Sequence, residues 1–177
     1  MSFRVRHNWT ECFGFPEVNV YSVQFQAFDV NSQEQLIGDR MPASRGTMRR
    51  VAHRAADMIY EKLTGIPGVF GTKVAYVTAR GTGDDRLYTL VVSDTDGENQ
   101  FTIMESTDPI MSPAWSPDSR ELAYVSFEGD AATIYVQTLR SGNRIKVSSR
   151  AGINGAPAFS PDGRKLVVTL GGLAGNL

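Results

Sequence analysis

The 177-residue chain is short of several residue types and patterns, and each shortage removes a class of function. It has one cysteine, Cys12, so no internal disulfide can form and a disulfide-stapled miniprotein is excluded. Cys12 also has no histidine partner in a recognisable motif, which leaves nucleophilic thiol catalysis without support. The two histidines, His7 and His53, are far apart and lack metal-ligand spacing, so no metal site is expected from them. The formal net charge is -1. Without an excess of basic residues, the electrostatic footprint of a nucleic-acid or anionic-membrane binder is missing. No apolar run reaches the roughly 18 residues needed to span a membrane. The stretch Met1 to Trp9 is basic through Arg4 and Arg6 but has no apolar centre, so no secretory signal peptide is visible. No Gly-x-Ser-x-Gly pentapeptide occurs, and Gly81-x-Gly83 lacks the third glycine of a dinucleotide loop.

What remains is ordinary globular composition, 41% hydrophobic and 21% charged. From Val20 to Val30, Tyr21, Val23, Phe25 and Ala27 alternate with Ser22, Gln24 and Gln26, the period of a half-buried strand. A second strand over Gln35 to Met41 completes a hairpin, and Pro42 is expected to end it because proline cannot donate to a ladder. The period then changes. Met48, Val51, Ala52, Ala55, Ile59 and Leu63 form the stripe of an amphipathic helix. Thr47 is its expected side-chain cap, Gly65 its left-handed terminus, and Pro67 blocks continuation. Arg45, Arg49, Arg50 and Arg54 read as a solvated basic face. The glycine- and proline-containing stretch Gly65 to Gly71 marks a domain boundary. Beyond it, Lys73 to Thr78, Leu87 to Ser93 and Gln100 to Met104 read as short strands. The segment Asp94-x-Asp96-Gly97-x-Asn99 has the look of a calcium-loop opening, but the bidentate glutamate is not at the required offset, so a hairpin turn is expected.

A repeat then dominates. Pro113-Ala114-Trp115-Ser116-Pro117-Asp118-Ser119-Arg120-Glu121-Leu122 returns 44 residues later as Pro157-Ala158-Phe159-Ser160-Pro161-Asp162-Gly163-Arg164-Lys165-Leu166, with seven of ten positions identical. That period matches one four-stranded blade of a β-propeller. Pro117 and Pro161 fix φ in a turn, and Asp118 and Asp162 can accept backbone N–H groups, so the motif is structural rather than catalytic. Val74-Ala75-Tyr76-Val77 also resembles Leu122-Ala123-Tyr124-Val125. Strand counting gives a first blade over 71–105, a second over 113–149 and the start of a third from Pro157. The expected fold class is therefore mostly β: a partial propeller of about two and a half blades, preceded by the end of a small α/β domain of hairpin plus helix. The expected domains are an unmatched segment 1–19, an α/β remnant 20–68 and truncated propeller blades over 69–177. Because propellers close with four to eight blades, the chain is expected to be a fragment or to need a partner to complete the ring.

The helix end Tyr60-Glu61-Lys62-Leu63-Thr64-Gly65-Ile66, the runs Val74 to Val77 and Val92 to Gly97, and the two segments Met111 to Asp118 and Asn154 to Gly163 together resemble the TolB family in order and spacing. The resemblance covers about Val20 to Leu177. It implies a periplasmic, non-enzymatic scaffold of the Tol-Pal envelope system that binds the lipoprotein Pal through its propeller and supports outer-membrane integrity and division. No cofactor is implied. Group A colicins also exploit this propeller. TolA binding is not expected, because 1–19 does not resemble the TolA-binding segment. The competing readings are the propeller of a prolyl oligopeptidase-like serine peptidase, whose blades share the Ser-Pro-Asp repeat, and a truncated gene product without function.

Ligands of propellers meet the loops at one mouth of the ring. The loops before the innermost strands are Pro109 to Ser112 and Ile153 to Ala156, and the resemblance places them on the Pal-facing mouth. Pro109, Met111, Ser112, Ile153, Asn154, Gly155 and Ala156 are the candidate partner-binding residues. The plainer role for Gly155 is to permit an unusual backbone angle before the strand. The family pattern carries histidine where this chain has Ile153.

Overall fold

A computed structural model of the protein describes residues 3–11, 20–129 and 131–172. Cys12 lies outside them. The chain divides into two compact units that part between Thr72 and Lys73.

The first unit is a three-stranded antiparallel sheet with one helix. Strands β1 (Phe3–Glu11), β2 (Val20–Asp29) and β3 (Gln35–Ser44) lie in the order β1-β2-β3. The N-terminal segment supplies a strand, paired with β2 from Phe3 opposite Asp29 to Glu11 opposite Tyr21. Pro42 does not end β3; it sits inside the strand opposite Ser22. The reason is position: β3 is an edge strand, where a residue whose N faces away from the sheet needs no donor. Helix α1 (Met48–Thr64) lays Val51 on Phe25, Met41 and Ala43, with Met48, Ala55, Met58 and Ile59 around them. Ala52 is exposed and Met58 takes a place in the contact face that the stripe had not assigned to it. Thr47 stands at the N-cap, yet its side chain bonds no helix N–H. Instead its Oγ1 accepts the Ser44 N–H at 2.8 Å, closing the turn that feeds the helix. Gly65 ends the helix at φ 72°, donating its N–H to the Glu61 carbonyl. Arg45, Arg49, Arg50 and Arg54 are all exposed. Past the helix, Asp57 accepts the N–H groups of Phe70 and Gly71 at 2.7 and 3.0 Å, which fastens the outgoing chain to the helix flank.

The second unit is a series of antiparallel sheets. The first blade has three strands, β4 (Lys73–Arg80), β5 (Leu87–Asp94) and β6 (Phe101–Ser106), in that order. The second has four, β7 (Ile110–Trp115), β8 (Glu121–Ser126), β9 (Thr133–Thr138) and β10 (Arg144–Ser148), each paired with the next. A third begins with the hairpin of β11 (Asn154–Phe159) and β12 (Leu166–Leu170). The Val74–Val77 and Leu122–Val125 likeness equates β4 with β8, so among the described residues the first blade has no strand equivalent to β7. Between blades one and two lie Leu90, Ile110 and Tyr124, all buried, with Val77, Tyr88, Ile103, Met104 and Tyr135 packed around them. The Tyr124 hydroxyl donates to Gln137 Oε1 at 2.8 Å, and Gln137 Nε2 donates to the Ile103 carbonyl at 3.3 Å. A polar link therefore joins the second blade to the first through an otherwise apolar core. Arg144 lies 4.3 Å over the Tyr135 ring and forks onto Glu128 at 2.7 and 3.3 Å.

Candidate functional site

In an up-and-down blade, alternate connections share one end. The Ser-Pro-Asp turns occupy one end of blades two and three, and the loops leading into β7 and β11 occupy the other. The two ends are built differently.

At the turn end each aspartate serves the backbone. Ser116 Oγ donates to Asp118 Oδ1 at 2.7 Å, and that oxygen also accepts the Arg120 N–H at 3.1 Å. The Ser116 hydroxyl in turn accepts the Glu121 N–H at 2.9 Å. Blade three repeats the arrangement: Ser160 donates to Asp162, which accepts the Arg164 N–H at 3.1 Å, and Lys165 N–H reaches Ser160 Oγ at 3.0 Å. The Ser116 hydroxyl and the Arg120 amide hold Asp118 below the usual carboxylate range, and Ser160 with Arg164 does the same for Asp162. These carboxylates are spent on turn geometry. The Asp94 segment is likewise the β5–β6 turn, with Gly97 N–H on the Asp94 carbonyl and Asp94 N–H on the Glu98 carbonyl. Lys73 Nζ and Asn99 Nδ2 bond the Asp94 carboxylate at 2.7 and 2.6 Å and lower its pKa. Gly81 and Gly83 lie in the β4–β5 connection.

At the loop end the inner strands carry a repeated irregularity. The β7–β8 register slips between Met111 and Ala114, and the β11–β12 register slips between Gly155 and Ala158. Each slip is a bulge made of a left-handed residue followed by the motif proline: Ser112-Pro113 at φ 53° and Ala156-Pro157 at φ 47° for the first residue. A bulge is where a strand tolerates a residue that cannot donate. The unusual backbone angle thus falls on Ala156 rather than on Gly155, which does not adopt positive φ and around which an added Cβ would meet nothing. Both loops are pinned to the end of the neighbouring strand, by Phe127 N–H on the Pro109 carbonyl at 3.0 Å and by Gly171 N–H on the Ile153 carbonyl at 2.9 Å.

The structure brings the candidate residues into two equivalent groups, one at each inner strand. Met111, Ser112, Ile153 and Ala156 are exposed, with Met111 at 47% and Ile153 at 60%. Pro109 and Gly155 are half-buried. Asn154 differs from the rest: it is 2% exposed and its side chain bonds entirely within its own loop. Sequence reasoning missed Ser148, Arg150 and Gly152, the residues to which Asn154 bonds. The usable signal is the repeat itself, which sets Asn154 opposite Ile110, a polar residue in a buried slot that is apolar one blade earlier. Exposed apolar side chains on strained, pinned loops suit contact with another macromolecule.

The TolB β-propeller domain family model matches residues 60–175. The chain is 53% identical over 136 residues to the Tol-Pal system protein TolB of Xanthomonas campestris pv. campestris (strain B100), a match covering 77% of this chain and 31% of that protein. It is 52% identical over 141 residues to the protein of the same name from Methylococcus capsulatus (strain Bath), covering 80% and 33%. Among solved structures, TolB from Acinetobacter baumannii superposes with a TM-score of 0.81 at 40% identity, over 93% of this chain and 40% of that one. The chain therefore spans about a third of the length of the curated relatives it matches.

Proposed function

The chain belongs to the TolB family, and from that premise we propose that it is a non-enzymatic, periplasmic protein-binding scaffold of the Tol-Pal system that takes Pal at the loop end of its blades. The contacts come from Pro109, Met111 and Ser112 on blade two and from Ile153, Gly155 and Ala156 on blade three. Through Pal the scaffold supports outer-membrane integrity and division, and a colicin that mimics Pal would compete for the same loops.

The observation that carries this reading is the pairing of exposed apolar side chains, Met111 and Ile153, on equivalent loops whose backbones are pinned and bulged in the same way. Two pre-shaped apolar knobs at one end are an economical contact surface, because little order has to be imposed on binding. Within the Ser-Pro-Asp turns themselves the polar groups bond each other.

Calorimetric titration of the full chain with purified soluble Pal tests the proposal. Binding is expected, and Met111→Asp or Ile153→Asp is expected to weaken it by about tenfold or more, as for exposed apolar anchors. Absence of binding by the folded chain would overturn it.

A further inference from the structure

Asn154 stands at the junction between the outer strand of one blade and the inner strand of the next. Its Oδ1 accepts the Ser148 hydroxyl at 2.7 Å and the Arg150 N–H at 3.2 Å. Its Nδ2 donates to the Arg150 carbonyl at 2.6 Å and to the Gly152 carbonyl at 3.4 Å. Ser148 closes β10 and Asn154 opens β11, so one side chain spans the whole connection between blades two and three. The loop it braces is also shaped by Gly152, whose φ is 96° and where a Cβ would run into the Gly171 carbonyl oxygen. Ile153, next along, is exposed.

The equivalent slot in blade two holds Ile110, buried to the same degree but apolar. Burial alone therefore satisfies the strand, and the amide of Asn154 adds something else. A buried amide with both ends bonded fixes the conformation of the backbone it bonds to, since each broken bond would strand a polar group. We infer that Asn154 is a positioning residue, not a contact: it locks the loop 149–153 in the shape that presents Ile153, and so sets the affinity for a protein partner without touching it. The binding half of this inference rests on the Pal reading above; the locking half does not.

The informative variant is Asn154→Ile, which copies blade two and keeps the slot filled. It is expected to fold, to exchange the backbone amide hydrogens of residues 150–153 at least about tenfold faster by native-state hydrogen exchange, and to bind Pal about tenfold more weakly. Ser148→Ala removes one bond and none of the packing, so a smaller rise in exchange at the same amides is expected. Rescue is expected from Asn154→Asp only at the Ser148 and Arg150 N–H bonds, with exchange between wild type and Asn154→Ile. If Asn154→Ile folds and both exchange and Pal affinity equal wild type, the inference is overturned. If wild type does not bind Pal, the functional reading falls, and faster exchange at 150–153 still decides the locking claim. If Asn154→Ile fails to fold, Ser148→Ala decides it, and unchanged exchange in that variant overturns the claim.

Discussion

Ser112 and Ala156 occupy equivalent positions 44 residues apart and adopt the same left-handed backbone, φ 53° and 47°, each directly before a proline. A non-glycine residue there costs about 1–2 kcal/mol. The same strain at two equivalent places is a property of the blade design, not an accident of one loop. The bulge it creates takes Ser112-Pro113 and Ala156-Pro157 out of the regular ladder at the end where we place the partner.

The strain gives a first prediction. Ala156→Gly is expected to raise stability by about 0.5 kcal/mol, the left-handed penalty less the added chain entropy of glycine. Gly155→Ala is expected to be tolerated, because the new Cβ meets open space. Urea unfolding checks both. A destabilised Ala156→Gly would mean that the side chain, and not the backbone angle, is what matters there.

The link between blades gives a second. Tyr124→Phe removes the donor to Gln137 and leaves a buried amide oxygen unpaired at the junction of blades one and two. The expected cost is about 1–2 kcal/mol. Leu122→Ala, at a fully buried site, is expected to cost about 2–5 kcal/mol through the cavity it leaves. Melting midpoints of the two variants should therefore fall in that order, with Leu122→Ala the lower.

These assignments show how far the sequence could be read. The helix limits were legible because Gly65 and Pro67 are local signals that tertiary packing did not override. The blade repeat was legible because Ser-Pro-Asp is held by bonds within six residues, Ser116 to Glu121. Pro42 was misread because strand position is a tertiary fact: only the pairing order shows that β3 is an edge. The strand Phe3–Glu11 was missed because its register is set by β2. At the candidate site the loops could be located, but the split between exposed Ile153 and buried Asn154 could not, since neighbours in sequence face opposite ways only once the strand start is known.

A third prediction concerns pH. Asp118 and Asp162 have native pKa values lowered from 3.8, first by the serine hydroxyl and then by a backbone N–H. A lowered native pKa means that the unfolded chain binds protons more readily. The stabilisation is therefore complete above the ordinary carboxylate value and is lost as pH falls through the lowered native values. The stability difference between wild type and Asp118→Asn/Asp162→Asn is expected to be constant from pH 7 to about 5 and to shrink below about 4. A difference that persists unchanged to pH 2 would show that the carboxylates' charge is irrelevant to the turns.

The central claim is that Pal meets this chain at the loops before β7 and β11. The most direct measurement is an amide chemical-shift map of the isotopically labelled chain titrated with soluble Pal. The account predicts perturbations concentrated at 109–112 and 153–156, with the turns at 116–120 and 160–165 unmoved. Perturbations centred on those turns, or none at saturating Pal, would contradict it.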